Sequence, residues 1–560
     1  MNVPKAVVTL LVVGTLAAVA PAALAQQAGP EPLRLSLGEA VAQAIERNLD
    51  LKVQRLDPPQ VEQTITLAES AFDPSFRATA GYNWSRREPQ SDFSPLSSES
   101  WDAGAQWYNP ISWGGNYSLD FNYSEDTATY RPLAIARFGL VPDNYLGSMI
   151  FTYNQPLLRN FGLAINRTAI EQATNDLKIS EQQLIVGLLT TVNLVEQSYW
   201  NLVGARRQVE VSKSSLALAE DLLRQTKIKV EVGTVAPIEV TTAEAEVAAR
   251  QESVITNTGL VGTFEDQLRR LINVPADSPD WNRPIVPTDQ LAFEKPSFNV
   301  EALIDTAMNK RPELVAAQLQ KQNLELEERY RDNQLKPDLT AQFSYGTYGN
   351  NYTYDKRKET ATIDGITPYL CLNDPSNPYA LCGEPYSITQ TVDFYEFRQD
   401  SRSDLFEELG TTENNAWRVG LFFSFPVGNR AAKAQYARTK IALDQQQMSI
   451  EAERERIRVE VRQAVRDIET AAERIAAARA NVALQQKKVE AEQKRYENGL
   501  SIAFRVVQTQ EDLRDAQTRE NLAVIDYNKS VSNLSRVTGT LLEERGISVE
   551  QAMQGTAAAR

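Results

Sequence analysis

From Arg430 to Glu497 the chain contains neither proline nor glycine, and from Leu163 to Val232 it contains no proline and only Gly187 and Gly204. Uninterrupted stretches rich in Ala, Leu, Gln, Glu, Lys and Arg are helix formers, and at ~1.5 Å per residue each would reach about 100 Å. Apolar residues step along them by three and four: Val461, Val465, Ile468, Ala472 and Ile475 in the later run, and Ile185, Leu188, Val192, Val195, Tyr199 and Leu202 in the earlier. The later seam lands next on Arg479, while Ala478 and Val482 carry the stripe onward. Helices so long are not stable alone in water and must wrap around others, although an ordinary two-stranded coiled coil has the same spacing. Each run ends at a glycine and restarts at once, in KVEVGTVAPIEVTTAE (Lys229 to Glu244) and in RYENGLSIAFRVVQTQ (Arg495 to Gln510). Glycine supplies the left-handed conformation that closes a helix, and Ser501 is expected to cap the next one.

Two matched breaks point to a duplicated chain. LGEAVAQAIERNLDL (Leu37 to Leu51) and VEALIDTAMNKRPEL (Val300 to Leu314) share apolar spacing and a closing polar turn. Each leads through a helical stretch to a proline, in ESAFDPSF or DNQLKPDL, then to alternating strands, a second proline at Pro156 or Pro426, a very long helix, the glycine break and a shorter helix. The expected organisation is a leader at 1–25, a first repeat at 26–273, a proline-rich connector at 274–297, a second repeat at 298–545 and a tail at 546–560.

Four segments alternate with a period of two. The clearest sets Phe76, Ala78, Ala80, Tyr82 and Trp84 against Arg77, Thr79, Gly81, Asn83 and Ser85; the others run through Met149–Tyr153, Leu339–Tyr345 and Trp417–Phe425. Trp84, Trp101, Trp107, Trp113 and Trp417 lie in or beside these regions, as the aromatic girdles of an outer-membrane barrel require. A soluble sandwich alternates in the same way, but would not explain long helices attached to the strands. Four strands are too few to close a barrel with a lumen, since ~8 are already filled by side chains, so a barrel must be shared among chains. A further pair, Trp101–Trp107 and Tyr117–Tyr123, also alternates around NPISWGGN. This hairpin is expected to lie in an enlarged external loop, with insertion into a widened barrel as the alternative. The segment from about Gly349 to Asn415 is expected to be the other external loop.

The chain opens MNVPKAVVTLLVVGTLAAVAPAALAQQ, with Lys5, an apolar run and Ala23-Leu24-Ala25 as a small-residue cleavage site, the pattern of a secretory leader. Its apolar run is shorter than the roughly 20 residues of a spanning anchor. With 58 Lys and Arg against 73 Asp and Glu the net charge is −15, which argues against a nucleic-acid partner. The chain has no histidine, so no histidine triad or histidine metal site exists, and two cysteines alone make a poor zinc site. No metal and no cofactor are expected. In an exported chain Cys371 and Cys382, close together in CLNDPSNPYALC, read as one loop-pinning disulfide, with two free thiols as the alternative.

SLGEAVAQAIERN, NQPLLRNFG, the VGTVAPIEV and NGLSIAF turns, NKRPEL and FPVGNRAA, taken in order over nearly all of the chain after the leader, resemble the TolC family of outer-membrane efflux channels. The resemblance implies an α+β membrane protein with two structural repeats, a homotrimer sharing a transmembrane antiparallel β-barrel of twelve strands and a long periplasmic α-helical barrel. It implies a cell outer membrane location in a Gram-negative envelope, outer-membrane lipid around the strands, and docking of a periplasmic adaptor protein at the hairpin tips, here Val232, Gly233, Thr234, Asn498, Gly499 and Leu500. Through the adaptor an inner-membrane transporter would supply the energy of efflux or type I secretion. The family's gate uses acidic and tyrosine residues beside the turns. Glu239 matches the acid and Tyr496 the tyrosine, whereas Arg505 and Gln508 occupy the acidic positions of the second repeat and Ser501 stands where the family has an arginine.

Other classes fit less of the chain. A periplasmic adaptor carries one helical hairpin, a coiled-coil or adhesin-like envelope protein needs no amphipathic strands, and a general porin has no such helices. An enzyme such as a carboxylate hydrolase would need converging acids, and none converge at a recognisable site.

Overall fold

The computed structural model describes residues 31–88, 90, 91, 94–130, 143–289, 293, 297–350, 352–366, 386–399, 401–411 and 414–554. The leader at 1–25 and the Cys371–Cys382 pair lie outside the described residues. The chain forms two compact units, one from Met1–Lys52, Gly187–Ala307 and Glu460–Arg560, the other from Val53–Val186 and Met308–Val459. Each unit draws on both halves of the sequence, and the division falls inside the two longest helices.

The first unit is helical. Strand β1 (Leu33–Leu35) leads into α1 (Leu37–Arg47), which starts with a capping box: Ser36 accepts from the Glu39 N–H and the Glu39 carboxylate accepts from the Ser36 N–H, both helix-end donors that would otherwise go unpaired. Helix α2 (Leu49–Gln54) follows. In the second unit come α3 (Asp57–Glu69), strands β2 (Ser75–Arg86), β3 (Ser97–Pro110), β4 (Asn116–Thr129) and β5 (Asp143–Pro156), the short α4 (Leu163–Asn166) and the start of α5 (Thr168–Glu231). Helix α6 (Ile238–Ile272) returns after the first glycine break, and β6 (Ile285–Pro287) pairs in parallel with β1. Helix α7 (Val300–Lys310) and α8 (Pro312–Asn333) precede the second strand set, which ends in α10 (Arg430–Glu497) and α11 (Ala503–Thr538), with α12 (Leu541–Glu544) and α13 (Val549–Gln554) at the end; α9 (Arg402–Gly410) sits between strands. No described helix is long and apolar enough to cross a membrane.

In the first unit the seam of α10 is buried as its spacing demands: Ala464, Val465, Ile468, Ala471, Ala472 and Ile475 pack with Ala523, Val524, Tyr527 and Leu534 of α11. Arg479, where the seam broke, turns outward to pair with Glu520 at 3.5 Å and stands 5.3 Å from the Phe293 ring. In α5, Leu188, Val192, Val195, Tyr199 and Leu202 are fully buried, whereas Ile185, expected in the seam, is half-buried and Leu184 takes the buried position. Around β1 the Tyr199 hydroxyl donates to Asp289 (2.5 Å) and to the Leu35 carbonyl (3.1 Å), and Asp289 also accepts from the Leu37 N–H (2.8 Å). Burial, with the Asp289 carboxylate beside it, pushes the Tyr199 phenol far above its ordinary value, so the hydroxyl stays a donor.

The second unit is built on a six-stranded antiparallel sheet in the order β10-β7-β5-β4-β3-β2, from β2 (Ser75–Arg86), β3 (Ser97–Pro110), β4 (Asn116–Thr129), β5 (Asp143–Pro156), β7 (Asp338–Asn350) and β10 (Asn415–Ser424). This corrects the expectation that the extra hairpin lies in an external loop. Strands β3 and β4 pair along nearly their whole length with β2 and β5, so the hairpin is part of the sheet, which holds six strands rather than four. Its alternation continues that of its neighbours, and a hairpin with one apolar face is stable only when that face joins a larger apolar surface. The second insertion behaves differently. Among the described residues, strands β8 (Tyr352–Ile366) and β9 (Tyr386–Gln399) pair only with each other, and α9 follows them, so the expected loop carries a hairpin and a helix.

Register puts Phe76, Trp84, Trp101, Trp107, Leu119, Phe121, Met149, Phe151, Phe343 and Trp417 on one face, and Thr79, Asp102, Asn122, Ser148, Ser344 and Arg418 on the other. At the lower strand ends Arg159 pairs with Asp338 (2.6 Å) and Asn333 accepts from the Asn160 N–H (2.7 Å), fixing where both strand sets pass into helix.

Candidate functional site

The two glycine breaks are built alike. At the end of α5 the Gly233 N–H donates to Val230 O (3.0 Å) and the Thr234 N–H reaches back five residues to Lys229 O (2.9 Å); at the end of α10 the Gly499 N–H donates to Tyr496 O (3.0 Å) and the Leu500 N–H to Arg495 O (2.8 Å). These bonds satisfy carbonyls that a helix end leaves unpaired, and they require the left-handed residue at the glycine. Gly233 has φ of 79° and Gly499 of 74°. The two turns lie 266 residues apart, which makes Glu239 and Arg505 equivalent positions in the first turns of α6 and α11.

Around the turns the surface is apolar and open. Val232 is 73% exposed, Leu500 79% and Phe504 57%, and Ile238 and Ile502 are exposed too. Beneath it Tyr496 is fully buried against Leu222, Ala503 and Val506. Its hydroxyl bonds the Thr226 hydroxyl at 2.8 Å, and Thr226 in turn donates to Leu222 O (2.8 Å). The Lys229 ammonium lies 4.0 Å from the centre of the Tyr496 ring and donates to the carbonyls of Tyr496 and Glu497. A cation there meets both the ring face and the negative end of α10. Tyr496 thus fastens α5 to α10 within one chain.

Ser501 does not cap α11. Its hydroxyl donates to Glu492, and the N-cap position falls to Ile502, one residue later, which has no capping side chain. The Ser501 hydroxyl holds the Glu492 carboxyl below its ordinary range; partial burial opposes this, and Arg495 and Arg505 reinforce it. Arg505 and Gln508 are exposed on the first turns of α11. Glu239 is half-buried, and its Oε2 atom is shielded from solvent without a hydrogen-bond partner among the described residues. Within one chain, then, Ser501 and Arg505 come together at Glu492, while Tyr496 packs against Leu222, Ala503 and Val506. Thr226, Lys229 and Glu492 escaped the sequence reading. Lys229 carried a signal, since it is the repeat equivalent of Arg495 and basic residues suit a last helical turn; Thr226 and Glu492 carried none. Cross-helix pairs flank the turns, Lys227 with Glu244 at 3.0 Å and Lys488 with Asp512 at 2.7 Å.

A family model described as outer membrane efflux protein matches residues 148–274 and 388–540. No curated protein matches the chain. Among solved structures, the CmeC outer membrane channel of Campylobacter jejuni superposes with a TM-score of 0.60 at 13% identity, covering 93% of this chain and 89% of that one. VceC of Vibrio cholerae gives 0.58 at 12% identity (90% and 96% covered), and the open state of the MtrE outer membrane channel of Neisseria gonorrhoeae gives 0.56 at 14% (90% and 89%).

Proposed function

This chain belongs to the outer membrane efflux protein family, and from that premise we propose that it is the outer-membrane exit duct of an efflux pump or type I secretion system, a passive channel rather than an enzyme. The observation that carries the reading is the sheet. It is apolar on one face, polar on the other, and ends in two strands, β2 and β10, whose outer edges are unpaired among the described residues. An open edge is a row of unmet backbone donors and acceptors, and inside a membrane only closure satisfies them. Three copies joined edge to edge would close eighteen strands from six each, in place of the twelve expected from the family pattern. Measured along β2, Phe76 to Trp84 covers about 27 Å before tilt, comparable to an apolar band about 25 Å tall.

The helices call for the same partners. Ile255, Leu260, Leu484 and Leu522 are exposed on α6, α10 and α11, as expected of a helical barrel completed by neighbouring copies in the periplasm. The near-identical hydrogen bonding of the two turns supports repeats at 26–273 and 298–545 joined by 274–297. The apolar tip around Val232, Gly233, Thr234, Asn498, Gly499 and Leu500 is the surface offered to a periplasmic adaptor, and through it to an inner-membrane transporter.

At the mouth, Glu239, Arg505, Gln508 and Ser501 would line the constriction while Tyr496 holds the helices that carry it. The unmatched Glu239 oxygen suits a cation from a neighbouring copy, and Arg505 is the repeat-equivalent candidate. Opposite charges at ~4 Å attract by about 4 kcal/mol at an effective dielectric near 20 and by only ~1 in bulk water, enough to favour a closed state that a partner can open. In planar bilayers Arg505→Ser is expected to raise single-channel conductance and shift selectivity toward cations, and Glu239→Gln to shift it toward anions. If both keep the parent conductance and reversal potential, these residues do not form the constriction.

A further inference from the structure

Helix α9 lies across the apolar face of the six-stranded sheet, at the end remote from the strand termini at Pro156, Asp338 and Ser424. Its seat is floored by Gly147 and Gly349, which face each other across β5 and β7. A Cβ at Gly147 would come within 2.9 Å of Leu405 and Leu409 side-chain atoms, and one at Gly349 within 2.7 Å of the Leu405 carbonyl oxygen. Only glycine lets the helix approach so closely, and Leu405 and Leu409 are buried there at 0% and 7% exposure. The helix is fastened at both ends. Ser401 and Asp404 form a capping box, and Glu408 accepts from the Asn350 N–H (2.9 Å) and from Asn414.

Polar groups gather on this otherwise apolar face around the same helix. Arg402 pairs with Glu125 and stands 5.3 Å from the Tyr145 ring, and the Tyr123 hydroxyl donates to Glu125 at 3.1 Å. Phe406, 52% exposed, stacks on Tyr123 with ring centres 6.0 Å apart. One row below, the same face carries Phe121 and Met149, with Leu119 and Phe151 beneath them. A charged pair on a lipid-facing surface is costly in hydrocarbon and well placed in the head-group layer, and exposed aromatics collect at that boundary.

We propose that α9 is an interfacial helix: it lies in the phosphate-bearing head-group layer of the outer leaflet, with Phe406 toward the acyl chains and Arg402 and Glu407 in the polar layer, and marks where the apolar band ends. The proposal rests on the reading of the sheet as a membrane-spanning wall. Its location on the apolar rather than the polar face, and the Arg402–Glu125 pair at the upper limit of that face, argue for lipid head groups as the occupant.

The test uses the full chain with Cys371→Ser and Cys382→Ser, carrying single cysteines in place of Phe406, Leu421 or Glu88, spin-labelled and reconstituted into phosphatidylethanolamine–phosphatidylglycerol vesicles. Relaxation by oxygen reports lipid exposure and relaxation by a water-soluble nickel chelate reports water. The Leu421 label should respond mainly to oxygen, the Glu88 label mainly to nickel, and the Phe406 label should fall between them, at head-group depth. Gly349→Val, whose side chain would occupy the space of the Leu405 backbone, should shift the Phe406 label toward nickel while trimers persist. A Phe406 label as nickel-accessible as that at Glu88, or as oxygen-accessible as that at Leu421, overturns the proposal. A Leu421 label that does not sense lipid overturns it together with the barrel reading.

Discussion

Tyr496 and Glu492 show how much of the tip depends on single side chains. A tyrosine next to a helix break reads from sequence as a group at the mouth, yet Tyr496 is fully buried with its hydroxyl on Thr226. Tyr496→Phe removes that bond and leaves Thr226 its own bond to Leu222 O, so the expected loss is about 1 kcal/mol, read as a lowered thermal midpoint of the purified protein with the export route intact. Glu492 makes a pH-dependent contact. Its carboxyl is held below the ordinary value of 4.5 by the Ser501 hydroxyl, with Arg495 and Arg505 adding to the effect and burial opposing it. A depressed folded value means that its contribution is present above the ordinary value and is lost as pH falls through the lowered one. Below about pH 4.5 the second tip should therefore become more open to limited proteolysis, and Glu492→Gln should abolish that acid-dependent step. An unchanged step in the variant would assign it to other carboxylates.

At the scale of elements, the helices and their breaks were readable because local rules act within a few residues. Long runs without proline, seams stepping by three and four, and glycine where φ must be positive all survive in the folded chain. Caps were less readable. Ser501 sits where a cap is wanted, but the helix begins one residue later and its hydroxyl finds Glu492 on the preceding helix, a partner that only the hairpin's closure brings near. The left-handed glycines lead to a prediction of their own. A β-branched residue in that conformation is strained by roughly 1–3 kcal/mol, and Gly499→Val also adds bulk to the exposed tip. Trimers should still reach the outer membrane while export is lost, and Gly233→Val should behave alike. Normal export with both substitutions would argue against docking at the tips.

For the whole molecule, the decisive element is the hairpin of β3 and β4, which brings the sheet to six strands. A chain whose sheet ends in two edges unpaired among the described residues should be purified as a closed assembly. In detergent without heating it is expected to migrate in denaturing gels at about three times the monomer size, and after boiling as the monomer. Migration as a monomer before heating would sink the closure proposal. Because β8 and β9 pair only with each other among the described residues, deleting 352–399 and joining the ends by a short flexible linker should leave that heat-dependent trimer in place, whereas deleting 97–129 should not.

By itself the sequence determined the periodic parts of this protein: the long helices, both glycine turns, the strand faces and the duplication, since a period of two or of 3.6 is written in neighbouring residues. Only the tertiary structure decided where each piece is used. Two similar insertions met different fates, one entering the sheet and one standing outside it, and the alternation of β3 and β4 was compatible with either. Register against β2 and β5 resolved it, by pairing nearly the whole of both strands into the sheet that β5 joins to β7, roughly 190 to 200 residues further along the chain. The same holds for the buried Tyr496 and for the glycine seat of α9. Such contacts join residues too distant in sequence for local preference to record, and packing selects them because an apolar face or a backbone group left unmatched costs more than any local alternative.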